Sequence, residues 1–353
     1  MKKAVLIILY LIFLAGISFA SGGFIAYVKN KLNSPKNSGK VIQNIIPKSS
    51  PKAEVSNALP SNAEEEKEEQ KSEPAPVPEE TTAPENKFSF AILGDTQYFK
   101  PGKGGGYPTA VYNIKKMNPD IVFALGDLVS SCDGGSECEG KYTAWKNVLG
   151  SLASRTYPAQ GNHDRTGKEK ADAVWEKVFS YLPGNGPQGF IKFAYSFDFE
   201  NSHFVVLDSD KPKEFLINET QRSWLDKDLS GATKENIFVF FHEPAYPTNS
   251  KIGESLDTNP KDRDALWNIF VKYKVSAVFS GHEHIQSRRK VDGIYQFVFG
   301  NTNSFDHLAP KAGTAEYYYI GQAFGMVEAN GTEITVKTYS VQGKLLNSFT
   351  LPQ

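Results

Sequence analysis

Apolar and polar positions alternate along most of this chain, and the period of that alternation changes part-way. From residue 88 to 93 the side chains are apolar except for Ser89 and read as a buried strand, and 120–125, apolar after Asp120, reads as a second. Between them, 108–117 has helical spacing with Pro108 near its first turn. The same spacing predicts helices over 141–152, 168–181, 219–229 and 262–273, the last with Leu266, Ile269 and Phe270 on one stripe. Strands are predicted over 194–199, 204–207, 237–241 and 275–279. After residue 285 the helical period stops and only strands remain, with hairpin turns at Asn330-Gly331 and Gln342-Gly343. Alternating strand and helix followed by a β-meander predicts two packed sheets with helices outside. There is no internal repeat.

The first part of the chain is different. Met1-Lys2-Lys3 precedes an uncharged run over 4–28, longer than the ~20 residues that span a bilayer. Ser18-Phe19-Ala20 has the form of a signal-peptidase site, yet the apolar run continues past it to Val28. Both readings stand, a retained anchor ahead of a cleaved signal peptide. Lysines on the near side place the N-terminus in the cytoplasm. Either way the rest is expected outside it, held at the membrane or secreted. Residues 29–87 are dominated by Pro, Ser, Lys and Glu and bury too little to offset ordering entropy, so they read as a disordered linker. A single domain is expected over 88–353.

With 353 residues and a net charge of −1, the chain does not have the basic surface of a nucleic-acid binder held by phosphate contacts. The two cysteines, Cys132 and Cys138, lack CxxC spacing, which excludes a zinc-finger or thioredoxin motif. In an exported chain they are expected to form a disulfide.

The chemistry lies where strands end. Asp95 follows Gly94, Asp127 follows Gly126, Asn162-His163-Asp164 follows Gly161, His242 follows a strand, and His282-Glu283-His284 follows Gly281. Taken alone, Gly161-Asn162-His163-Asp164 reads as a turn with a helix cap. The repetition at five strand ends changes that reading, because in open α/β sheets such ends converge on the site edge. Glycine before Asp95, Asp127, Asn162 and His282 is expected to permit a tight turn. Asp, Asn and His donors together suit two divalent or trivalent cations of the Mn, Fe or Zn type better than Ca.

These five blocks resemble, in order and spacing, the calcineurin-like metallophosphoesterase family, to which purple acid phosphatases are related. The family pattern is Asp-x-His, Gly-Asp-x-x-Asp, Gly-Asn-His-Asp/Glu, a single His, then Gly-His-x-His. The resemblance implies a four-layer αββα double β-sandwich of the α/β (α+β) class, with the metal site at the C-terminal ends of strands. It implies that Asp95, Asp127 and His284 hold one metal, and that Asp127, Asn162, His242 and His282 hold a second, with Asp127 shared. His163 would face the substrate, and Asp164 would orient it. The implied activity is hydrolysis of a small-molecule or surface phosphoester by a metal-bridging hydroxide. The alternative is a surface binding module that keeps the fold and little activity.

Two positions depart from the pattern. Gln97 replaces the first-block His and is a weaker, neutral ligand. Ser130 stands where purple acid phosphatases place a metal-binding Tyr, which argues against a purple ferric site. Other features have plainer readings. His203 reads as structural and Tyr98 as a packed aromatic. His307 lies on a loop after Gly300 and is given no role, and Trp224 and Trp267 fit helix faces. The glycine-rich 102–106 lacks Walker spacing and reads as a rim loop. Loops 99–107, 131–140 and 244–260 are expected to shape the pocket.

Overall fold

The computed structural model describes residues 87–305 and 308–352. The apolar N-terminal run, nearly all of the linker and His307 lie outside the described residues. No helix among the described residues is long and apolar enough to cross a membrane.

Strand β1 (Lys87–Leu93) is followed by α1 (Gly106–Met117), β2 (Ile121–Leu125), α2 (Gly135–Leu149) and β3 (Thr156–Ala159). Then come α3 (Glu169–Val178), β4 (Tyr195–Phe199), β5 (Ser202–Val206), α4 (Glu219–Gly231), β6 (Asn236–Phe240), α5 (Pro260–Lys272) and β7 (Ala277–Ser280). The chain finishes with β8 (Gln286–Val291), β9 (Ile294–Phe299), β10 (Tyr317–Tyr319), β11 (Ala323–Asn330), β12 (Glu333–Ser340) and β13 (Leu345–Thr350). One sheet has the order β13-β12-β11-β1-β2-β3 and the other β10-β8-β9-β7-β6-β5-β4. Pairing is parallel through β1-β2-β3 and through β5-β6-β7-β9, so the C-terminal ends of these strands share one edge of each sheet.

The sheets meet through phenylalanine. Phe90 of β1 packs edge-on against Phe204, Phe238, Phe240 and Phe279 of the opposite sheet, and Phe123 stacks on Phe240 at 3.8 Å. These rings are fully buried, and the mostly apolar strands that carry them reflect burial on both faces. Helices cover the outer faces. Tyr107 of α1 stacks on Trp145 of α2 and donates to its carbonyl. Phe270 of α5 lies over Phe241 beyond β6. The result is two mixed sheets flanked by helices, as expected.

Two expectations are corrected. Helix α2 starts at Gly135, inside the span read as a loop. Glu137 in its first turn favours that end of the helix dipole and pairs with Lys141 at 3.3 Å. The terminal strands do not form one meander. The β8-β9 hairpin and β10 stay in the second sheet, whereas β11, β12 and β13 cross to the first, where β11 runs antiparallel to β1 with Phe90 opposite Val327. A period of two marks a strand but not the sheet it joins.

Candidate metal centre

Five strand ends deliver the polar side chains to one place, and the backbone is unusual where they do so. Asp95, Asp127, His282 and His284 all have positive φ, between 50° and 68°. Non-glycine residues adopt this region at a cost and cluster in it at functional sites. The left-handed turn therefore falls mainly on the ligand-type residue and not on the glycine before it. What the glycine provides is close approach. A Cβ on Gly281 would lie 2.6 Å from Asp95 Oδ2, and one on Gly161 would lie 2.5 Å from Asp127 Oδ1.

Asp95, Asp127 and His284 form one buried cluster whose ligand atoms lie within 4.8 Å of one another. Asp95 Oδ1 is 3.2 Å from His284 Nε2, and Asp95 Oδ2 accepts the His282 backbone N–H at 2.9 Å. Burial pushes the Asp95 carboxyl above the usual carboxylate range, against the pull of His284. Gln97 lies against the cluster, with Nε2 3.1 Å from Asp127 Oδ2 and 3.3 Å from His284 Nε2. Its Oε1 is buried with no partner. Rotating the amide by half a turn exchanges the two atoms and gives the cluster an oxygen donor.

His242, His282 and Glu243 form the second cluster, again within 4.8 Å. Each imidazole is oriented by a backbone carbonyl. His242 Nδ1 donates to Leu125 at 2.7 Å, and His282 Nε2 donates to Glu254 at 2.8 Å. Because a carbonyl only accepts, the tautomers leave His242 Nε2 and His282 Nδ1 with lone pairs for a metal. His242 Nε2 lies 3.2 Å from Asn162 Oδ1 and 3.4 Å from Asp127 Oδ1, which places Asp127 between the clusters. Burial opposes charge on His242, but Asp127, Asp95 and Glu243 outweigh it and lift its pKa to about 9. Burial and the neighbouring His242 hold His282 well below the usual imidazole range. Oriented lone pairs, buried carboxylates and an orphaned amide oxygen fit a pair of metal ions.

His163 and Asp164 have separate partners. The His163 backbone N–H donates to Asp127 Oδ1 at 2.9 Å, and ring Nδ1 donates to the Ser130 carbonyl at 2.8 Å. Asp164 is fully buried and does not hold that ring. Its carboxylate accepts the backbone N–H groups of Leu128, Val129 and Gly161 and the Tyr142 hydroxyl. Burial and the charge of Asp127 push its pKa up to about 7. Asp164 thus ties the Asp127 loop to the Asn162 loop and acts on His163 through the backbone. Cys132 and Cys138 are joined in a disulfide beside these loops, and the Cys132 N–H donates to the His163 carbonyl at 3.1 Å.

A cleft of about 560 Å³ opens next to the centre, lined by Asn162, His163, Lys168, Asp210, Lys213 and Phe215. Its walls come from 162–168 and 210–215, not from 99–107 or 131–140; the 244–260 loop contributes the carbonyl behind His282. Tyr98 packs only in part. It is exposed on the rim, its ring 4.8 Å from Phe305 and 6.2 Å from His163. His203 is structural, clamped between Asp198 at 2.6 Å and Asp228 at 2.9 Å. Sequence reasoning missed Glu243 and Asp210, both fully buried. An acidic residue directly after His242, at the end of an apolar strand, was the available signal.

The profile of the family described as calcineurin-like phosphoesterase matches residues 88–286, which contain every one of these donors. The chain belongs to the calcineurin-like phosphoesterase family. Tartrate-resistant acid phosphatase type 5 of Rattus norvegicus is 22% identical over 318 residues, spanning 77% of this chain and 92% of the relative. Phosphoenolpyruvate phosphatase of Allium cepa is 26% identical over 241 residues, 62% of this chain and 46% of that one. Among solved structures, purple acid phosphatase PPD1 from yellow lupin (Lupinus luteus) seeds has the same fold, with a TM-score of 0.62 at 17% identity. That match covers 75% of this chain and 53% of the lupin chain, so this chain spans about half the length of that neighbour. This family member is a metal-dependent hydrolase acting on phosphoester bonds, and its centre takes two metal ions.

Proposed function

We propose that this chain hydrolyses small-molecule phosphoesters outside the cytoplasm, with one metal held by Asp95, Asp127, His284 and Gln97 and the other by Asp127, Asn162, His242 and His282. The observation that carries this reading is the convergence of donors from five strand ends, with Asp127 between the two clusters. Two ions bound there would supply an acidified water as the nucleophile and positive charge for the phosphoryl oxygens. The protein's part is positioning. Backbone carbonyls of Leu125 and Glu254 aim the two imidazoles, and Asp164 locks the loops carrying Asp127 and His163.

His163 is the catalytic residue. Ring Nδ1 is committed to the Ser130 carbonyl, so Nε2 is the nitrogen left to meet substrate, and the side chain is 31% exposed beside the cleft. Its Nε2 lies 3.9 Å from Asp127 Oδ2, adjacent to both metal positions. There the imidazolium form, with a second proton on Nε2, hydrogen-bonds a phosphoryl oxygen or protonates the leaving oxygen. His163→Ala is expected to lower turnover about 10²–10⁴-fold while metal content stays at two ions. Loss of metal in step with activity would move His163 into the metal shell and overturn this role.

Export rests on the apolar run over 4–28 and on a disulfide that suits an oxidising compartment. Fractionating cells and treating them intact with protease tests it. Protection from protease in intact cells would overturn the extracytoplasmic placement.

A further inference from the structure

Glu243 follows His242 at the end of β6, and the mechanism above gives it no task. Its side chain is fully buried, and among the described residues no N–H group donates to either carboxylate oxygen. Burying a carboxylate without a partner is costly enough that it is paired, protonated or bound to a cation. Among the described residues no Lys or Arg pairs with Glu243. Arg165, the guanidinium on that side, is committed to Asp172 at 2.9 Å and 3.2 Å and to the Asp210 carbonyl at 3.0 Å. The polar groups that face its carboxylate are the buried Asp210 carboxyl and the Ser209 hydroxyl, and neither supplies positive charge.

What Glu243 does have nearby is the second pair of imidazoles. One of its oxygens lies within 4.8 Å of ring nitrogens of both His242 and His282, which lie within the same distance of each other. The two metal positions are also unequal in charge. The first has Asp95 to itself and shares Asp127, whereas the second has only the shared Asp127 and the neutral Asn162 and imidazoles. We propose that Glu243 is a ligand of the second metal, giving that position an anionic donor of its own. Asp210 stands behind it on the cleft side as a positioning residue. A second carboxylate makes the donor set richer in oxygen, and this favours Mn or Fe over Zn at that position.

The inference rests on the reading that the second metal sits at His242 and His282, and the test separates the two. Wild type, Glu243→Gln and His282→Ala are stripped of metal and titrated with Mn²⁺, with bound ions counted by mass spectrometry. Wild type is expected to take up two ions. Both variants are expected to keep the first and to bind the second roughly tenfold more weakly or worse. Without metal, Glu243→Gln is expected to melt above wild type, because a buried charge is gone; with Mn²⁺ the order reverses. A residue that only braces the fold would lower melting in both states, and that result would overturn the proposal. It is also overturned if Glu243→Gln keeps wild-type affinity for the second ion while His282→Ala loses it. If His282→Ala also keeps both ions, the position of the second metal is wrong and the inference falls with it. Should Glu243→Gln fail to fold, Glu243→Asp keeps the charge but withdraws it. Weaker binding of only the second ion supports the proposal, and unchanged affinity sinks it.

Discussion

The same strands behave in opposite ways at two places a few residues apart. Between the sheets, Phe90, Phe123, Phe204, Phe238, Phe240 and Phe279 interlock with no polar atom to satisfy. Just past the C-terminal ends of these strands, Asp95, Asp127, His242, Glu243, His282 and His284 are also buried, yet they bring charge, orphaned oxygens and left-handed backbone. The aromatic seam gains free energy from every contact. The strand-end edge spends it, and holds its shape because the seam and the surrounding hydrogen bonds leave the loops no alternative. Two cations held there would resolve that tension, since they would neutralise the carboxylates and use the lone pairs the fold has aimed. The comparison explains why residues at the edge are expected to govern metal and turnover, while those in the seam govern stability.

The strongest way to break the comparison is to cut the seam. Phe90→Ala removes the ring that touches four others across the sheets and is expected to cost about 3–5 kcal/mol of stability. Denaturant unfolding checks this. At a temperature where the variant stays folded, its turnover should match wild type within a few-fold; a collapse of turnover in folded protein would show that seam and edge are not separable.

Opening the Cys132–Cys138 bond acts on the edge from outside. Both cysteines are buried, and Cys132 hydrogen-bonds the backbone of His163 and the side chain of Thr166. Replacing both with Ser is expected to lower stability by about 2 kcal/mol and to reduce activity through the His163 loop. Two titratable thiols in the native protein would remove the basis for this expectation.

Gln97→His sharpens the account of the first metal position. An imidazole in place of the amide should raise retention of the first ion roughly tenfold, within the range that metal-site substitutions span. Competition with a chelator reads this directly. Unchanged retention would place position 97 outside the metal shell.

The smallest effect concerns His203, whose partners Asp198 and Asp228 belong to neither the seam nor the metal centre. Burial lowers its pKa, but the carboxylates of Asp228 and Asp198 outweigh burial and raise it above the usual imidazole value. A raised folded pKa means the clamp stabilises fully below the unfolded value of about 6.5 and fades as pH climbs through the folded value. His203→Asn should flatten that part of the stability–pH curve. If wild type shows no decline on the alkaline side relative to the variant, the clamp is not charged.

Much of the site was legible because its signals are local. Ligand types recur at the ends of apolar runs, and a glycine precedes most of them, so Asp95, Asp127, Asn162, His242, His282 and His284 were readable without a fold. The alternation of strand and helix was legible for the same reason, since periodicity is a property of neighbouring residues. Helix α2 and the 210–215 cleft wall were less so. A disulfide and a loop that packs only through distant partners leave little trace in periodicity.

The sequence by itself determined which residues offer donors and that each sits where a strand ends. Tertiary structure alone decided that Ser130, and not Asp164, holds the His163 ring, that β11 to β13 complete the first sheet, and that Glu243 is buried beside His242 and His282. The physical reason is range. Donor chemistry and strand period are written within a few residues, whereas burial and hydrogen-bond partnership depend on chains meeting across separations as large as that between Lys87 and its strand partner Asn330.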